Sequence, residues 1–425
     1  MTSRRFWQIL IAIAVAAIAI RVGFVLGFKR HFALRSDNFV YHYSANLLVE
    51  GKGLINPVQY YAKPSVITPM ADHPPAYWFY LAAWSLLGVK SILGHQLVTC
   101  LLGGAMVVLA GLLGRRLGSQ RVGLIAAGLV AVYACLWIND ALVMSESLAV
   151  VATGLLLLAA YRLLDRPSVG NAALLGLSCG FAALCRAELL LFLPIAALPV
   201  LVRIGRRTVP GVRFAVKRTL TLAIVVGVAA GAVMAPWIAR NLTSFKEPVY
   251  LSTGLGITLA YSNCDETYYG DFLGSFNFFC PGKFIPGQDP SIDDIAFRKK
   301  VTTYVSAHKS RVPVVLAARF GRLWNLYRPG QQIEIDALDD RNRKVSLIGL
   351  TQYYAMLPFA IGGALLLRRR KESILPLIAI PISTTFAVLL TFGMTRYRVP
   401  SDFVMCVLAA LGANELFRRV RRPRI

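Results

Sequence analysis

Ten apolar segments separated by short connections decide what this chain can fold into: Phe6 to Phe28, then about 95–114, 122–139, 143–164, 170–186, 187–204, 219–238, 346–367, 374–392 and 402–417. Each is close to the length a helix needs to cross a hydrocarbon layer of roughly 30 Å. Basic residues punctuate the series at every second boundary, as Arg115/Arg116/Arg121, Arg166 beside Asp165, the stretch 203–218, Arg368 to Lys371 and the tail from Arg418. Clusters of Lys and Arg mark cytoplasmic connections. Ten crossings put all of these runs, and both termini, on the cytoplasmic side.

Composition agrees with that reading. At 56% hydrophobic and 16% charged residues, with a mean hydropathy of +0.58, the chain carries more apolar surface than one soluble core could hide. The expected class is an all-α polytopic protein of the cytoplasmic membrane. The net charge of +25 would suggest nucleic acid in a soluble chain, but here it resides in topology-setting runs, so no nucleic-acid partner is expected. The run after Arg4 and Arg5 is long enough to span and has no small-x-small cleavage site, which predicts an uncleaved first helix rather than a signal peptide.

One apolar stretch, 75–89, breaks the alternation if counted as a span. It is short and rich in Tyr77, Trp78, Tyr80 and Trp84, which favours a helix lying on the outer surface; the alternative is a true span with one more elsewhere. The chain then divides into a transmembrane module 1–238 with a first outer loop 29–74, a large outer segment 239–345, and C-terminal helices 346–425. The outer segment holds more than half of the 21 acidic residues. It is too long for a plain connection, so it is expected to fold over the membrane as a region of mixed structure. Cys264 and Cys280 are the two cysteines in that segment, and an oxidising outer compartment favours a disulfide over two free thiols. The other five lie in or beside apolar helices, and no spacing suggests zinc.

Ionisable groups crowd the outer helix ends, where each is costly unless it has work to do. The order of short motifs is distinctive: Asp37-Asn38-Phe39-Val40-Tyr41-His42 with Gly51-Lys52-Gly53, His73-Pro74-Pro75, Arg115-Arg116-Leu117-Gly118, Ser145-Glu146-Ser147, Leu184-Cys185-Arg186, Pro236-Trp237 with Arg240-Asn241, and Arg396-Tyr397-Arg398. This series resembles the GT-C superfamily of polytopic glycosyltransferases, in the branch of the protein O-mannosyltransferases and lipid A aminoarabinose transferases. The stretch from Asn263 to Gly270 is similar to an actinobacterial-type subgroup.

The resemblance implies a GT-C fold and an extracytoplasmic active site. There a polyprenyl-phosphate-linked sugar donor would meet a glycan, glycolipid or protein acceptor. Asp37 matches the family's acid in the first outer loop, a base that deprotonates the acceptor hydroxyl as it attacks the anomeric carbon with inversion. The plainer reading of Asp37 is a helix N-cap, and Asn38 departs from relatives with a second acid. Glu146 could assist Asp37 or orient the acceptor; Asp140 reads rather as a solvated loop acid. His73, Arg186, Arg240, Arg396 and Arg398 are candidates for the donor phosphate, against the plain alternative of snorkelling to lipid. His73 stands where many relatives have Lys, which would make that charge pH-dependent. Arg396 and Arg398 flank Tyr397, so one of them is expected to face the cavity and the other the lipid, unless the segment is helical or bent. Arg21 is read as snorkelling and Glu188 as pairing with Arg186.

No cofactor is required by these motifs. A divalent metal at Asp37, Asp72 and Glu146 is compatible with them but demanded by no ligand spacing. Two other functions share the hydropathy profile. A flippase of lipid-linked saccharides would show internal repeats and midplane charges, and an oligosaccharide ligase or polymerase would use a lipid diphosphate donor.

Overall fold

A computed structural model describes residues 2–31, 33–208, 211–282 and 287–420. Seven helices within these residues are long and apolar enough to cross a membrane: Ser3–Lys29, Ile92–Leu117, Glu146–Asp165, Ala187–Arg207, Val212–Ser244, Arg343–Arg369 and Thr395–Val420. The other three expected segments are also helical but irregular. Val169–Cys185 and Leu375–Leu390 are shorter, and the third is a pair, Gln120–Val132 and Ala134–Ala141, bent by 57°.

That bend has a local cause. The first half of the pair stops at Tyr133, whose backbone is extended, which frees polar groups that lipid could not satisfy. Gln352 from a neighbouring helix repairs the break: its side chain accepts from the Ala134 N–H at 2.8 Å and donates to the Val132 carbonyl at 3.1 Å.

Ion pairs show which helix ends lie together. Arg116 pairs with Asp165 and, at 3.7 Å, with Glu372, and Arg370 reaches Glu415 at 3.7 Å. These are the ends where the basic runs gather. At the opposite end, Asp37, Glu146, Arg186 and Arg396 meet. The alternation read from the sequence is therefore physically consistent across the bundle. The helix Val212–Ser244 shows Leu220, Ile224 and Val228 outward at a four-residue spacing, each more than half exposed, as a lipid-facing stripe requires. Small residues allow tight crossings inside: a Cβ on Gly412 would collide with the Phe359 carbonyl, so Arg343–Arg369 and the last helix pack backbone to backbone there.

Arg21 and Asp140 depart from expectation. Neither reaches solvent or lipid: both side chains are fully buried, Arg21 Nε lies 2.5 Å from Asp140 Oδ2, and Ser147 donates to the other carboxylate oxygen. Gly103 makes the room, since a Cβ there would overlap the Arg21 side chain. The reason sequence misplaces them is that Arg21 lies far from Asp140 along the chain, and only the bend at Tyr133 brings them together. Removing one partner strands a buried charge. Asp140→Ala is expected to destabilise the protein by about 3–5 kcal/mol, whereas the double change Arg21→Leu/Asp140→Leu should cost much less. Thermal unfolding in detergent checks this, and an equal loss in both variants would contradict it.

The hydrophilic segments combine short helices with turns and loops. Among the described residues the only β pairing is an isolated bridge between Ile55 and Pro69. Asp37–Val49 packs on Ala76–Leu86, Gly254–Tyr261 on Pro290–Ala307, and Val312–Leu323 on Leu375–Leu390. Ala76–Leu86 has 11 residues, about 16 Å of rise, too short to span. Its Tyr77, Trp78 and Leu81 are fully buried against neighbouring helices. Cys264 and Cys280 are disulfide-bonded, with Cα atoms 5.7 Å apart. Four of the free cysteines are buried and Cys135 is half-buried.

Candidate active site

Asp37 opens the helix Asp37–Val49, and Ser36 holds the cap position without a capping side chain. The turn before it is set by Asn38, whose buried Oδ1 accepts from the Arg35 and Ser36 N–H groups at 2.9 and 3.2 Å. The residue that departs from the family pattern is thus a scaffold for the acid beside it. The Asp37 carboxylate does not cap its own helix. It turns to Arg396 at 2.6 Å and to His73 Nε2 at 3.6 Å.

Arg396 is the hub. It sits in the short helical turn Thr395–Arg398, and its guanidinium touches three carboxylates: Asp37, Asp339 at 2.8 Å and Glu146 at 3.0 Å. Fully buried Glu146 is shared with Arg186 at 3.2 Å, and Arg186 also holds Glu188 at 2.5 Å, the pairing expected for that acid. The Tyr397 ring lies beneath both guanidinium groups, 4.8 Å from Arg186 and 5.7 Å from Arg396. His73 is gripped on its other side by Asp72 at 3.1 Å.

Burial by itself would raise the Asp37 carboxyl, but Arg396 and then His73 outweigh it and hold it well below the usual carboxylate range. Burial would lower His73; its acid neighbours Asp72 and Asp37 win and raise it to about 10. The pH-dependent charge expected at position 73 is corrected accordingly. Two carboxylates keep the imidazolium charged through the neutral range, so it serves as the fixed cation that Lys would supply.

Asp37, Asp72, His73, Asp339, Arg396 and Tyr397 are among the residues lining an open cavity of about 200 Å³. Three expected phosphate ligands do not line it, the first being Arg186, which is buried beside Tyr397 and paired with Glu146 and Glu188. Arg398 is fully buried on Asp402 at 2.8 Å, donates to the Leu323 carbonyl and stacks on Tyr353 at 3.9 Å. A helical turn explains this, because positions 396 and 398 then diverge and 398 points into the bundle instead of to lipid. Arg240 spends its guanidinium on the Met70 and Leu54 carbonyls at 2.9 and 2.8 Å and stacks between Trp237 and Phe245. It pins the first hydrophilic loop to the bundle. Asp72 and Glu146 do not converge with Asp37 on a metal-sized point: His73 stands between the first pair and Arg396 between the second. Cys264, Glu266 and Cys280 form a cluster of ligand type, but its two sulfurs are bonded to each other.

Asp339 is the site residue that the sequence did not single out. Its signal was weak but present, since Asp339-Asp340-Arg341 stands directly before a predicted span.

The family model of the dolichyl-phosphate-mannose-protein mannosyltransferases matches residues 72–238. No curated protein matches the chain by sequence. Among solved structures, the Archaeoglobus fulgidus oligosaccharyltransferase in its apo form superposes with a TM-score of 0.59 at 14% identity, over 99% of this chain and 51% of its own. The oligosaccharyltransferase of the same organism in complex with an inhibitory peptide and a dolichol-phosphate gives 0.58 at 15% identity, again over 99% and 51%. ArnT from Cupriavidus metallidurans bound to undecaprenyl phosphate gives 0.38 at 12% identity over 97% and 79%, too loose a superposition to inform function. The chain spans about half the length of the oligosaccharyltransferases it matches. At these identities the likeness is one of fold. The chain is an integral membrane protein with the GT-C fold.

Proposed function

We propose that the chain is a membrane glycosyltransferase that moves one monosaccharide from a polyprenyl-phosphate donor to an acceptor hydroxyl, with inversion, on the extracytoplasmic side. The observation that carries this reading is the Asp37 carboxylate at the edge of an open cavity, held by two cations. Asp37 is the base. The acceptor oxygen attacks the anomeric carbon from the face away from phosphate, and its proton passes to Asp37 as the bond to phosphate breaks.

Arg396 and His73 line the cavity as the cations within reach of the donor phosphate, with Arg186 buried beside them. All three are already shared with carboxylates, so the phosphate enters by exchange. When it takes Arg396, Asp37 loses its strongest cation and becomes a better base, since removing a nearby positive charge raises a carboxyl pKa. The departing polyprenyl phosphate gains charge and is stabilised by the same groups. Glu146 acts at one remove by holding Arg396 and Arg186.

The test is label transfer from a panel of polyprenyl-phosphate sugars to membrane acceptors, followed by mass spectrometry with the purified full chain. Transfer from a monophosphate monosaccharide, with the new anomeric bond opposite in configuration to the donor's, is the expected result. Transfer from lipid diphosphate oligosaccharides alone would favour a ligase. Movement of donor across vesicles with no new glycosidic bond would favour a flippase.

A further inference from the structure

The cavity beside Asp37 is lined by two kinds of group. Besides its charged groups it is lined by aromatic rings joined in sequence: Tyr261 meets Phe278 edge to face at 5.4 Å, Phe278 meets Phe276 at 5.0 Å, Phe276 meets Phe392 at 5.0 Å, and Phe392 meets Tyr397 at 5.4 Å. The chain of rings ends at the ring on which Arg186 and Arg396 rest. Its members differ in burial. Phe276 and Phe392 are 5% and 8% exposed and act as backing, while Phe278 is 52% exposed at the cavity.

Aromatic surface left open in a membrane protein's hydrophilic region is costly to hydrate, and here it is held rigid by a second layer. Local anchoring reinforces this. The disulfide Cys264–Cys280 closes the loop that carries Phe276 and Phe278, and Lys300 donates to the Cys280 and Pro281 carbonyls at 3.1 and 3.0 Å. Gly274, at φ +74°, lies so close to Ala318 and Arg319 that a side chain there would collide.

We propose that this row of rings is the acceptor subsite and that the acceptor is a saccharide, the end of a glycan or glycolipid, stacked on Phe278 and Tyr261. The inference rests on the glycosyltransferase reading above. A sugar ring has an apolar C–H face and a rim of hydroxyls. A cavity lined both by rings and by the carboxylates of Asp37, Asp72 and Asp339 offers each of these its partner, the rings by apolar contact and the carboxylates as acceptors from hydroxyls. A donor phosphate held by Arg396 and His73 leaves the rings of Tyr261 and Phe278 free for the acceptor. An extended peptide would look for strand edges to pair with, and among the described residues the only β pairing is the isolated bridge at Ile55 and Pro69.

The test measures binding to the purified full chain in detergent, using octyl glycosides of mannose, galactose and arabinose, a Ser/Thr-rich peptide, and undecaprenyl phosphate as a probe of the donor end. At least one glycoside should bind the wild type. Phe278→Leu, which keeps apolar bulk but removes the ring, should weaken it about tenfold or more. Phe279→Leu, at the 91% exposed ring next along the loop that does not line the cavity, should leave glycoside binding near the wild-type level, and undecaprenyl phosphate should bind all three proteins alike. Peptide binding without glycoside binding, no glycoside binding at all, or glycoside binding indifferent to Phe278→Leu would each overturn the proposal. Failure of undecaprenyl phosphate to bind the wild type would instead count against the glycosyltransferase reading itself.

Discussion

Asp37→Asn is expected to abolish most sugar transfer, by about 10²–10⁴-fold, the usual loss when a general base is removed, while donor binding and folding survive. The amide is nearly isosteric and keeps a hydrogen-bond acceptor for Arg396. It cannot take the acceptor proton. Folding is spared because Arg396 keeps Glu146 and Asp339 as partners, and because the local turn is built by Asn38 and not by Asp37. Initial rates with donor and acceptor saturating, beside a melting curve, check the split. Near-normal turnover would remove Asp37 from the chemistry.

How far this site could be read from the sequence depends on the range of the interaction involved. Span positions were legible because each depends on about twenty consecutive residues and on the sign of the charges flanking them. Asp37, His73 and Arg396 were legible as ionisable groups with no topological reason to stand at those helix ends. What remained hidden was pairing. Arg21, Arg240 and Arg398 look in sequence like Arg396, yet the first is bonded to an acid brought in by a helix bend, the second to two backbone carbonyls of a distant loop, and the third to Asp402 one turn along its own helix. Period-two reasoning also failed at Arg396-Tyr397-Arg398, since the segment is a helical turn and not a strand. The aromatic wall escaped notice for a related reason: Tyr261, Phe276, Phe278 and Phe392 come from three separate parts of the chain, and nothing in their spacing foretells the row of rings.

The second large effect separates the two arginines by what each loss touches. Arg396→Lys keeps the charge but replaces a planar fork that reaches three carboxylates with a single ammonium point. At least one charge-assisted contact must go, worth about 1.5–3 kcal/mol, or roughly 10–150-fold in rate if it is made to the phosphate in the transition state. Because Arg396 borders the open cavity, the lost group can be replaced in part by water, so stability should fall little and kcat/KM for the donor should fall most. Arg398→Lys should behave in the opposite way. Its guanidinium is enclosed, paired with Asp402, bonded to the Leu323 carbonyl and stacked on Tyr353, so the shorter fit strands buried polar groups and lowers the melting temperature. The kinetics of the molecules that remain folded should be unchanged, for Arg398 does not line the cavity. Donor kinetics normalised to folded protein, with melting curves for both variants, decide the matter. If Arg398→Lys changed donor KM while Arg396→Lys left it alone, the phosphate would have to sit on the other side of Tyr397, and the exchange at Arg396 that frees Asp37 could not be the way this site works.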